Sequence, residues 1–271
     1  MVDRIILILL VIIFLIIKSR YGYSSFKEGL LTYKDCPPDS QKNMFRTWKK
    51  SLNQLPNDVL IPMKDAMKMN PDYSMYYFSD EDVIQFIGDN FPDDLPAYNS
   101  LVPGAFKADV FRLMVLYRYG GVYNDIGHTF LAPIEEIKGP CDHVLVKDDD
   151  SLDFWIYNAF IIAPSGSEVI KKMLDRALEN IRNKTYGDDQ MDITGPINCG
   201  KALNLYWNKP EKSNIDTGDN NNIRILTHPK HGDIHLLSKT VVKTKFANYY
   251  GIVYADGGYY SDLYSSRKVY K

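Results

Sequence analysis

Lys107-Ala108-Asp109-Val110-Phe111-Arg112, a largely apolar run from Leu113 to Tyr119, and then Gly120-Gly121-Val122-Tyr123-Asn124-Asp125-Ile126-Gly127 form the stretch that decides the fold. Phe106, Val110, Leu113, Met114 and Tyr117 recur at helical spacing and predict an amphipathic helix over 105–119 with one buried stripe. Asp109 and Arg112, three residues apart, are neighbours elsewhere on that helix. By spacing alone they form an intrahelical ion pair worth about 0.2–0.5 kcal/mol. The residues that follow change its meaning. Gly120-Gly121 suits a left-handed C-cap that reverses the chain, and Val122 to Ile126 reads as a short strand with Asp125 at its end. In open α/β sheets ligands collect beyond the carboxyl ends of strands. A carboxylate there, followed by Gly127-His128-Thr129, suits Mn2+ or Mg2+ with room for phosphate oxygens.

Outward from this centre, strand and helix signals alternate. Ser79 ahead of Asp80-Glu81-Asp82 predicts a capped helix running to about residue 87. Ser165-Gly166-Ser167-Glu168 reads as a capping box before Val169, Ile170, Met173, Leu174, Ala177, Leu178 and Ile181, which share one helical face. Apolar runs at 74–78, 143–146 and 155–163 read as strands. The alternation predicts an α/β fold with a mainly parallel sheet flanked by helices. A chain of 271 residues suffices for one large domain. Its net charge of -2 offers no footprint for nucleic acid. Cys36, Cys141 and Cys199 show no metal-binding spacing, and a single disulfide cannot be assigned among them.

The N-terminus is a separate object. Ile5 to Ile17 is unbroken and apolar, flanked by Arg4, Lys18 and Arg20. At 1.5 Å per residue it covers only about 20 Å of a roughly 30 Å hydrocarbon core, although flanking side chains that snorkel extend it. No small-x-small cleavage site follows, so residues 1–20 read as a signal anchor in preference to a cleaved signal. Residues 21–42 read as a stem, and 43–271 as the globular domain.

Together these residues resemble the glycosyltransferases whose sugar-binding region contains a DXD motif, the family 32 type that includes fungal initiating mannosyltransferases and capsular-polysaccharide enzymes. The resemblance rests on Lys107-Ala108-Asp109-Val110-Phe111-Arg112 paired with Gly120-Gly121-Val122-Tyr123 and Asp125-Ile126-Gly127. Arg46-Thr47-Trp48, Asn70-Pro71-Asp72-Tyr73 through Asp82, Asn158-Ala159-Phe160 and Thr194-Gly195-Pro196 add flanking matches. It implies a GT-A-type, Rossmann-like fold and a retaining transfer of a hexose from a UDP- or GDP-sugar to a glycan, polysaccharide or lipid-linked acceptor. It also implies that Asp109 and Arg112 hold the donor sugar, that Trp48 lies near the base, and that Tyr123 and Asn124 line the nucleotide-sugar site. Asp125 would face a Mn2+ or Mg2+ ion, which stabilises charge on the leaving diphosphate.

One departure stands out. The second acid of D-x-D is Gly127 here. Three outcomes follow: a substitute ligand such as His128 or Asp256, weak metal use with arginine and lysine neutralising the phosphates, or a non-catalytic nucleotide-sugar or glycan binder. Asp148-Asp149-Asp150 reads as a solvated loop, and His228, His231 and His235 as incidental histidines of another. Asn183-Lys184-Thr185 is a glycosylation sequon, usable only in a secretory lumen. With the apolar N-terminus, these features point to a transferase on a Golgi, ER or similar secretory membrane.

Overall fold

The computed structural model describes residues 29–35, 42–149, 152–229, 232–246, 249–250 and 260–271. The expected anchor, most of the stem, Cys36, Asp150, His231 and Asp256 lie outside the described residues. The chain divides into two units after Leu30, and the second, Leu31–Lys271, carries the fold. No helix among the described residues is long and apolar enough to cross a membrane.

Ten strands of this unit share one sheet: β1 (Asn43–Thr47), β2 (Ser74–Phe78), β3 (Gly121–Asn124), β4 (Thr129–Phe130), β5 (His143–Asp148), β6 (Phe160–Ala163), β7 (Gly218–Asn220), β8 (Ile223–His228), β9 (Ile234–Leu236) and β10 (Lys239–Lys243). Their spatial order is β2-β1-β3-β6-β5-β8-β9-β10-β4, with β7 paired to β8. The expected mainly parallel sheet is corrected to a mixed one. β1 runs parallel to β2 and β3, and β5 to β8, while the remaining pairs are antiparallel. For one pair the cause is local: β9 and β10 are joined by two residues, Leu237 and Ser238, a connection that only an antiparallel pair permits. The expected strand over 155–163 also shrinks to Phe160–Ala163, with Ile156 contributing only an isolated bridge to Lys147.

Helices α1 (Asn57–Met69), α2 (Asp80–Asn90), α3 (Gly104–Tyr119), α4 (Glu168–Arg182) and α5 (Pro196–Tyr206) pack around this sheet. Period-two alternation sorts β1: Phe45 enters the aromatic core against Tyr119 of α3, while Met44 and Arg46 point to the other face. α2 is capped as expected, with the Ser79 hydroxyl accepting from the Asp82 amide. The cap of α4 is Ser167 rather than a box opened by Ser165. α3 ends at Gly120, whose φ of 64° and lack of a side chain let the backbone of Pro164 and Ser165 press against it. Gly121 does not join that cap; it opens β3 against the backbone of Asn43, with φ at 112°.

Candidate active site at the carboxyl ends of β1 and β3

Strand β3 delivers three residues to the same end of the sheet in alternating directions. Tyr123 and Asp125 point toward α3, and Asn124 points toward Arg46 on the opposite face. The Asp125 backbone amide donates to the Ala159 carbonyl at 2.9 Å, which fixes the end of the strand beside β6.

On the α3 side, Arg112 bridges two carboxylates. Its Nη1 lies 2.9 Å from Asp109 Oδ1 and its Nη2 lies 3.1 Å from Asp125 Oδ1. The same Asp125 oxygen accepts from the Tyr123 hydroxyl at 2.9 Å, and the Arg112 guanidinium stacks 4.8 Å from the Tyr123 ring centre. Asp109 is held on both oxygens: Asn158 Nδ2 donates to Oδ1 at 3.0 Å, and Thr194 Oγ1 donates to Oδ2 at 2.8 Å. The pair expected as a surface neighbour of a single stripe is therefore inside. α3 also buries Phe111, Val115 and Leu116, so only Lys107, Tyr117 and a few other positions reach outward.

Burial is uneven, and that matters chemically. The side chain of Arg112 is 5% exposed and that of Asp109 12%, whereas that of Asp125 is 33% exposed. Asp125 is thus the more accessible of the two carboxylates. Burial pushes the Asp109 carboxyl above its ordinary range, opposed by Arg112 and by the Thr194 hydroxyl. Burial pulls Arg112 down, but Asp125, Tyr123 and Asp109 together outweigh it and hold the guanidinium charged.

The other face of β3 holds a second guanidinium. Arg46 is fully buried; its Nη2 donates to the His128 carbonyl at 2.8 Å and its Nη1 to the Ile126 carbonyl at 3.4 Å. With its amide turned to accept, Asn124 lies 2.7 Å from Nη2 and 3.1 Å from Nε of Arg46. Burial lowers the Arg46 pKa to about 9, with Tyr123 and Asp125 acting against the shift. Arg46 thus organises the loop 124–128 from below. Sequence reasoning took it only as part of a flanking match, because an arginine in a short strand carries no sign of burial.

Beyond this lies an aromatic and imidazole stack. His128 Nε2 meets the Tyr157 hydroxyl at 3.0 Å, Tyr157 stacks on His228 at 4.1 Å, and His228 Nδ1 meets Asp148 Oδ1 at 3.1 Å. Burial, aided by Arg46, His228 and Arg112, pushes His128 well below the usual imidazole range. Asp148 and His228 are corrections to the expected solvated loops: they are the last residues of the adjacent parallel strands β5 and β8, and both are buried. Their strand context was visible in Val144-Leu145-Val146 and Ile223 to Leu226, but the pairing of those strands was not.

Trp48, one residue past β1, is half-buried at the same sheet end, with Lys50 Nζ 5.2 Å from its ring centre. A separate cleft at the opposite end of β3 is lined by Lys42, Tyr73, Gly121, Glu135, Lys138 and Asp142. Its charges answer one another across exposed surface, as in Lys42 to Glu135 at 3.9 Å, and the Tyr73 hydroxyl donates to Glu135 at 2.8 Å.

The divalent cation implied for such a site finds, among the described residues, one partly exposed carboxylate, Asp125, whose Oδ1 is already shared by Arg112 and Tyr123. Among the described residues no three His, Cys, Asp or Glu side chains converge as ligands, and the residue at 127 has no side chain. The described residues therefore do not complete a site for it.

Residues 56–148 match the model of the glycosyltransferase sugar-binding region containing a DXD motif. The chain is similar to the initiation-specific alpha-1,6-mannosyltransferase of Candida albicans, with 27% identity over 192 residues covering 57% of this chain and 50% of that protein. It is also similar to inositol phosphoceramide mannosyltransferase 3 of Schizosaccharomyces pombe, with 34% identity over 85 residues covering 31% and 23%. The chain therefore spans half or less of the length of these relatives. A solved structure titled PaToxG Glycosyltransferase superposes with a TM-score of 0.49 at 19% identity, covering 69% of this chain and 76% of that one. The matched segment contains α3, the Gly120-Gly121 turn, Asp125 and Asp148, so this third of the chain is similar to the DXD-containing sugar-binding region of glycosyltransferases.

Proposed function

We propose that this chain is a membrane-anchored, retaining glycosyltransferase of GT-A type. It moves a hexose from a UDP- or GDP-sugar to a glycan, polysaccharide or lipid-linked acceptor on a secretory membrane. The names of the relatives favour mannose as the sugar and, for the inositol phosphoceramide enzymes, a lipid acceptor. The observation that carries the reading is the Arg112 bridge between Asp109 and Asp125 at the carboxyl end of β3. A buried guanidinium locked between two carboxylates presents fixed hydrogen-bonding groups to a polyhydroxy ligand without having to reorganise when it binds. In this reading Asp125 faces the donor, Arg112 meets the sugar and the diphosphate beside it, and Asp109 holds Arg112 in register. Tyr123, Asn124 and Trp48 line the nucleotide side. The exposed Asn183 of the sequon is consistent with a luminal domain.

Gly127 favours a second reading, a nucleotide-sugar or glycan binder without turnover. One experiment separates the two. The full chain in detergent is screened with UDP- and GDP-sugars, with and without Mn2+, for release of nucleoside diphosphate. Release that disappears in Asp125→Ala supports the transferase. Saturable binding with no turnover on any donor and acceptor supports the binder, and neither binding nor release sinks both.

A further inference from the structure

A carboxylate at position 127 would have nowhere to go. An ideal Cβ on Gly127 would lie 2.8 Å from Cδ2 of Tyr249, closer still to Cε2, and 3.0 Å from the Thr244 carbonyl oxygen. The ring carbons and that backbone oxygen leave too little room for even one added methyl group, so Tyr249 must move before any side chain fits. The residue replacing the second acid is therefore matched to an aromatic ring that covers it.

The charge that such an acid would recruit has a counterpart beneath the loop. Arg46 donates only to neutral oxygens, the carbonyls of Ile126 and His128 and the amide of Asn124, all within the segment that carries Asp125 and Gly127. Among the described residues no carboxylate bonds to it directly; Asp125 offsets its charge only through space, and burial lowers the screening that water would provide. Arg112 lies on the other side of the same strand. Among the described residues, a divalent cation entering here would meet two guanidiniums and, on Asp125, one carboxylate oxygen that accepts no hydrogen bond.

We propose that this site holds the diphosphate of its donor without a divalent cation: Arg46 is the fixed positive charge under the loop 124–128, and Tyr249, seated on Gly127, fills the space of the missing acid. The inference rests on reading the site as one for nucleoside diphosphates, and it can fail independently of that reading. Arg46 acts through the loop and is a positioning residue, since it is sealed from solvent.

The test uses the full chain and two probes, Mn2+ alone followed by electron paramagnetic resonance, and UDP or GDP followed by calorimetry in EDTA or in Mn2+. The expected results are no stoichiometric Mn2+ site tighter than about 1 mM and a nucleotide Kd that changes less than about twofold between the two buffers. Arg46→Gln should weaken nucleotide binding in EDTA by about tenfold. Because that substitution removes a buried group, a second variant guards against simple unfolding. Gly127→Asp should lower Tm on its own, and Gly127→Asp combined with Tyr249→Ala should regain Tm and acquire a Mn2+ site. One Mn2+ per wild-type chain that is lost in Asp125→Ala overturns the proposal, as does tightening of nucleotide binding by Mn2+ of about tenfold or more. A double variant with no Mn2+ site overturns the steric half. If neither nucleotide binds in any buffer, the proposed function falls, while the Mn2+ titrations still decide the present point.

Discussion

Helices α3 and α4 are nearly equal in length, 16 and 15 residues, yet they hold charge in opposite ways. α4 is amphipathic in the ordinary sense: Val169, Ile170, Met173, Leu174, Ala177, Leu178 and Ile181 face the core, and its Lys171–Asp175 pair lies in solvent at 2.6 Å. α3 is buried on almost every side and takes Asp109 and Arg112 inside with it. A surface ion pair gains little because water already solvates both partners. A buried one repays its desolvation only when every donor and acceptor is met. Asn158, Thr194, Tyr123 and Asp125 converge on the α3 pair and meet its polar atoms except the buried Arg112 Nε, which has no partner among the described residues.

Breaking the buried side of this comparison should have the largest effect. Arg112→Met leaves two carboxylates facing one another without a cation and is expected to lower stability by about 3–5 kcal/mol in urea titration. Arg112→Lys should recover only part of this, because an ammonium cannot bridge two carboxylates with a planar fork. A loss below about 1 kcal/mol for Arg112→Met would show that the network contributes no more than a surface pair. Next, Thr194→Val removes a hydroxyl that donates to Asp109 at 2.8 Å, and a loss of about 1.5–3 kcal/mol is expected.

The pH response sharpens the contrast further. His128 is buried in its neutral form with its pKa pushed well down, so the unfolded chain binds a proton below the usual imidazole pKa of about 6.5 and the folded chain does not. Stability is therefore complete above that pH and is lost as pH falls below it, by up to about 1.4 kcal/mol per unit. The urea midpoint at pH 7 and pH 5.5 measures the slope, and His128→Gln should flatten it. The smallest effect belongs to α4: Lys171→Ala should change stability by less than about 0.5 kcal/mol.

The same two helices show what a sequence discloses. The face of α4 was readable residue by residue, because apolar spacing with a capping serine needs only local information. The course of α3, its stop at Gly120 and the strand leading to Asp125 were readable for the same reason, although that strand ends at Asn124 and not at Ile126. What was not readable depends on partners far along the chain. Asn158 and Thr194 meet Asp109 across 49 and 85 residues, and Asp148 meets His228 across 80. Nothing local marks Arg46 as buried; its environment exists only once β1 lies beside β3 and the loop 124–128 folds over it. The antiparallel C-terminal strands were likewise hidden: β9 pairs with β10 through a short turn in a segment with weak periodicity, and β10 pairs with β4 far away in the chain.

The central claim is that the Arg112-centred end of β3 receives the donor. The most direct measurement is an experimental structure of the full chain with a bound UDP- or GDP-sugar. The account predicts the sugar against Asp125 and Arg112 and the diphosphate over the loop 124–128. A donor seated instead in the cleft of Lys42, Tyr73 and Lys138, at the opposite end of the same strand, would contradict it.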